Sequence, residues 1–111
     1  MKLSNRKFKL IENKKGLASG DTIMVFDSTD LPYKAIYDGP NIDYGHALVS
    51  LENEKLTMLY HSLSQEGELS ASKAIITLSK NNSSNLEMQL DWHWLTGDLS
   101  NGILKWREII A

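Results

Sequence analysis

Turn-forming segments interrupt this chain at intervals of roughly ten residues, and that punctuation restricts the fold more than any other feature. The breaks read "NKKGLASGD", "STDLP", "DGP", "ENEK", "SQEG", "SKNNSSN" and "TGDLSNG". Between them lie eight runs rich in β-branched and aromatic residues, at about 6–12, 22–27, 33–38, 42–51, 55–63, 68–78, 85–96 and 102–110. Alanine and leucine in "ELSASKAIITL" (68–78) compete for a helix, but the Ile-Ile-Thr run between two turns favours a strand. Eight consecutive strands on short turns predict an antiparallel up-and-down meander. A single sheet of that size curls, and closure removes its edges. The expected product is an all-β fold, a small up-and-down β-barrel formed by one domain, 1–111. Its interior is either filled by side chains or just wide enough for one small ligand.

Two hairpins can be aligned from the sequence. A turn within "ENEK" sets Leu51 against Leu56, Val49 against Met58 and Ala47 against Tyr60. The other face then pairs Leu48 with Leu59 and His46 with His61. Both faces are apolar, so the pattern does not choose the inward one and implies cover on both sides, as by a second copy in a homo-dimer. A turn centred on Leu99 sets Trp94 against Leu104, Trp92 against Trp106 and Leu90 against Glu108. On the opposite face it sets His93 against Lys105 and Asp91 against Arg107. In this register the three tryptophans face inward and His93 faces outward.

Composition removes several classes of function. Cysteine is absent, so neither a disulfide framework nor a thiolate metal site can form. No apolar run has the length of a signal peptide or a membrane span, and the chain reads as cytoplasmic with no membrane partner. The net charge of −2 is uneven, because residues 1–15 carry +5 and leave −7 for the rest. Lysines alternating around Phe8 and Leu10 read as the wet face of an edge strand rather than as a nucleic-acid contact. No Gly-x-Gly pair and no Gly-x-Ser-x-Gly elbow occur, so no cofactor-binding or nucleophile motif is present and no catalytic residue is assigned.

The candidate ligand-binding residues follow from strand parity. Trp92, Trp94 and Trp106 line the interior, with Tyr60 or Tyr44 supplying a hydroxyl. Glu108 shares the tryptophans' parity and would need a partner, a water or a ligand if it faced inward, or would sit in solvent at the barrel end. His46 and His61 form a cross-strand imidazole pair, half of a metal site, with no third ligand evident and no metal assigned.

The run from Leu56 to Ile109 resembles a family of small bacterial proteins often labelled N-acetylglutamate synthase. The likeness lies in Tyr60-His61, Gly67-Glu68-Leu69, the Trp92-x-Trp94-x-x-Gly97-Asp98 stretch and the closing strand from Gly102 to Glu108. With an upstream Gly45-His46 it covers about residues 33–110. It implies a lipocalin-like or avidin-like barrel. The label's acetyl transfer needs an acyl-CoA pyrophosphate loop that this sequence lacks, so no catalytic residue carries over. Three readings stay open: a barrel that binds a small apolar or aromatic molecule, an enzyme using the barrel mouth, and a filled structural barrel.

Overall fold

A computed structural model describes residues 3–14, 21–40, 42–83, 85–95 and 101–109, apart from the side chains of Asn13, Lys14 and Trp94. The eight expected strands form: β1 (Lys7–Lys14), β2 (Ile23–Phe26), β3 (Tyr33–Gly39), β4 (Ile42–Glu52), β5 (Lys55–Ser64), β6 (Leu69–Lys80), β7 (Leu86–Trp94) and β8 (Asn101–Glu108). Each pairs antiparallel with the next, and β1 pairs with β8 to close the barrel. Segment 69–80 is therefore a strand, and no helix among the described residues is long and apolar enough to span a membrane.

Closure corrects one expectation. β1 is not an edge strand, since it pairs with β2 on one side and β8 on the other. Lys7 and Lys9 still occupy its wet face, while Phe8 and Leu10 are buried. The alternation was read correctly, but the need to guard an edge disappears once the sheet closes on itself.

The β4–β5 hairpin has the expected register throughout, including His46 opposite His61 and Ala47 opposite Tyr60. Its two-residue turn, Asn53-Glu54, has positive φ at both positions, 51° and 65°. That geometry matches the right-handed twist of the flanking strands. The structure also settles which face points inward: Ala47, Val49, Met58 and Tyr60 are buried, whereas Leu48, Leu59 and His61 face outward.

The β7–β8 register differs from expectation. Trp92 pairs with Gly102, Leu90 with Leu104, Met88 with Trp106, and His93 with Asn101. The hairpin is thus centred on Gly97 rather than Leu99. The expected pairs Trp94–Leu104, Trp92–Trp106, Leu90–Glu108, His93–Lys105 and Asp91–Arg107 do not form. Arg107 instead meets Glu87, with Nε 2.9 Å from Oε2. Each partner moves by four positions, an even number, so no side chain changes face. Trp92 and Trp106 are buried and His93 is exposed, as parity required.

The interior changes character along the barrel axis. Phe8, Phe26, Tyr33, Leu86 and Leu3 fill one end, with Phe8 and Phe26 edge-to-face at 5.8 Å and Phe26 and Tyr33 at 6.3 Å. Backbone bonds from Asn5 to Asp27 and from Phe26 to Arg6 hold the N-terminal segment across that end. Hydroxyls and small residues gather toward the other end.

Candidate functional site

Following the strand register around the barrel places Tyr37, Tyr60, Trp92 and Ser72 near one level of the interior. Tyr60 lies opposite Ala47 on β4 and opposite Ser72 on β6. Trp92 lies between Ala74 and Gly102. These alanines and glycines take little volume and leave room beside them for the large rings.

Tyr37 shows the arrangement most clearly. Its β4 partner is Gly45, and a β-carbon built on that glycine would come within 2.4 Å of the Tyr37 ring. The ring therefore crosses β4 where β4 has no side chain, and its hydroxyl donates to the His61 carbonyl on β5 at 3.0 Å. Tyr37 and Tyr60 meet edge-to-face at 6.2 Å. Burial raises both phenols well above their ordinary range, and neighbouring Ser62 and Ser72 hydroxyls moderate the effect. Both are neutral, hydroxyl-bearing groups in a low-dielectric wall.

Polar atoms lie unsatisfied beside them. Ser72 is fully buried, and its Oγ neighbours Tyr60 but makes no hydrogen bond of accepted geometry. Trp106, the next inward position beyond Leu104 on β8, is buried beside Met88 and Leu10, and its Nε1 has no hydrogen-bond partner. A buried donor left without a partner costs about 1–3 kcal/mol, so such atoms are uncommon unless they serve another group.

Of the residues expected from the sequence, Tyr60 and Trp92 come together and Trp106 lies deeper in the same interior. The backbone of Trp94 sits opposite Ser72, and its side chain lies outside the described residues. Glu108 lies at the opposite, apolar end, six positions along β8 from Gly102, about 20 Å at strand rise. Its side chain is 11% exposed, paired through Oε2 with Arg6 and accepting the Leu86 N–H through Oε1 at 3.1 Å. Both oxygens are thus occupied in joining the N-terminal segment to β7 and β8. His46 and His61 stand on the outer wall, their rings 5.6 Å apart, with Tyr44 beside His46. Tyr44 shares the outward alternation of His46 and Leu48, so it supplies no interior hydroxyl, and the bulge between Ile42 and Tyr44 turns Ile42 inward instead. Among the described residues no three His, Cys, Asp or Glu side chains converge as a metal site.

Sequence reasoning passed over Tyr37, Ser62 and Ser72. Their signal was present in strand parity: Ser62 and Ser72 share the inward alternation of Tyr60, and Tyr37 faces the inward Gly45. Serine in a strand reads as a surface residue, and only the closed barrel shows this one enclosed.

The family model described as avidin-like protein matches residues 1–109. No curated protein and no solved structure matches the chain. None of these comparisons supports the N-acetylglutamate synthase label.

Proposed function

The chain belongs to the avidin-like family, and from that premise we propose that it binds one small molecule inside the barrel, at the end built by Tyr37, Tyr60, Ser62, Ser72 and Trp92. The unpartnered Ser72 hydroxyl beside Tyr60 carries this reading. A ligand with a polar head group would satisfy Ser72 and the tyrosine hydroxyls, while Trp92 would cover a flat or apolar body. The arrangement favours binding over catalysis, because the tyrosines are held neutral and no acid–base pair of histidine and carboxylate faces them among the described residues.

Native mass spectrometry of the purified protein would reveal a retained molecule, expected at one per chain. Tryptophan fluorescence titration with a panel of small cyclic amides, ureas and carboxylates would follow, with biotin included because related barrels hold it. Ser72→Ala and Tyr60→Phe should each weaken a responding ligand by about two- to tenfold, the worth of one hydrogen bond. A bare chain mass together with no response across the panel would overturn the proposal.

A further inference from the structure

The outer wall of β3–β6 is apolar in ordered rows. One row runs Ile36, His46, His61, Ala71 across the four strands. The row to one side is Lys34, Leu48, Leu59, Lys73, and on the other Tyr44, Leu63 and Leu69 stand side by side. Ile36, Tyr44, Leu48 and Leu59 are exposed, and Leu69 is 81% exposed. A patch of this kind on a soluble barrel marks an interaction surface.

The charges at its margins say what fits there. Lys34 stands two positions from Ile36 on one side, and the exposed Asp38 stands two positions away on the other. Lay a second copy face to face about a two-fold axis along the histidine row. Each Lys34 then meets Asp38 of the other copy, and the Leu48–Leu59 row lies on the Tyr44–Leu63–Leu69 row. Lys73, which already contacts Glu52 at 2.7 Å, meets Leu69. An axis along the strands would instead set Lys34 against Lys73. The charge pattern selects the first arrangement, which is also the aligned packing that twisted sheets prefer.

That axis brings both histidine pairs to the centre of the contact. Packed sheets stand about 10 Å apart, leaving about 5 Å on each side, which an imidazole and a metal bond of about 2 Å can span. Within one chain the two rings are already neighbours, 5.6 Å apart, with no carboxylate between them in the row. We propose that this face joins two copies of the chain through a shared transition-metal site, with His46 and His61 supplied by each. Four neutral imidazoles in a tetrahedral arrangement suit zinc, and the site is half-formed in a single chain.

Sedimentation equilibrium of the full chain, with zinc chloride or with EDTA, tests this directly. Zinc should shift the mass from 12.5 kDa toward twice that value and tighten self-association at least about tenfold. His46→Gln with His61→Gln should abolish the zinc effect, and Leu59→Glu should leave a monomer with or without zinc. Lys34→Glu should weaken the dimer, and adding Asp38→Lys should restore it. All these side chains lie outside the core, so thermal unfolding should change little and will show that each variant folds. A monomer at every zinc concentration would overturn the proposal. So would a dimer unmoved by EDTA and by the double histidine substitution, or one indifferent to Leu59→Glu.

Discussion

Tyr37 lies across Gly45, and the absence of a side chain at Gly45 lets the Tyr37 hydroxyl reach the His61 carbonyl at 3.0 Å. Two residues eight positions apart in sequence thus fix one wall of the candidate binding end. A β-carbon at Gly45 would stand 2.4 Å from the ring, far inside van der Waals contact. Gly45→Ala should therefore destabilise the barrel by about 1–3 kcal/mol, the usual cost of overpacking. Urea denaturation of the variant measures it. An unchanged midpoint would show that the ring can move aside freely.

Glu108 gives a contrasting case, because it braces the end remote from the hydroxyls. Glu108→Ala removes the acceptor of the Leu86 N–H and one ion-pair contact of Arg6, at a cost of about 1–3 kcal/mol. The stability loss should appear in a denaturant titration, while affinity for a molecule bound beside Tyr60 stays near that of the parent. A large loss of affinity at equal folding would place Glu108 in the site after all.

Alkaline pH should expose the two buried tyrosines. An unfolded tyrosine ionises near pH 10, whereas burial raises the Tyr37 and Tyr60 phenols above that value in the fold. The unfolded chain then releases protons that the folded chain keeps, so stability holds below about pH 10 and falls as pH rises beyond it. Tyrosinate absorbance followed alongside the loss of the folded signal checks this. Full ionisation of all four tyrosines at about pH 10 in a still-folded barrel would contradict it.

The Asn53-Glu54 turn offers a gain. Glu54 holds φ at 65°, a region that strains side-chain-bearing residues and suits glycine. Glu54→Gly should stabilise the hairpin by about 0.5–1 kcal/mol. A rise in the urea midpoint with an unchanged slope is the expected reading, and a fall would mean that the Glu54 side chain contributes more than its backbone costs.

Much of this molecule was legible in the sequence, and the reasons are local. Turn residues placed the breaks, so all eight strands emerged with ends within a few residues of their true positions. Alternation along "LDWHWLTGD" sent Trp92 inward and His93 outward. The same parity held when the β7–β8 pairing moved by four positions, because an even slip leaves faces unchanged. The pairing itself was less legible. The partners of Trp92 and Arg107 depend on how the 95–100 connection is centred, and several centres suit the same apolar pattern.

The candidate site divides along the same line. Tyr60, Trp92 and Trp106 were placed in the interior, where the structure has them, because large aromatics with inward parity stand out in a sequence. Glu108 had that parity as well, yet parity says nothing of height along the barrel, and it lies at the far end. His46 and His61 were paired correctly without their side of the wall being known. By itself, then, the sequence determined strand order, the β4–β5 register and the alternation of faces, all set by neighbours close along the chain. Only closure of the barrel decided which face of β4 and β5 was enclosed and at what height each inward residue sits. It also decided that the Ser72 hydroxyl is shut away from water, because burial depends on strands distant in sequence meeting around one interior.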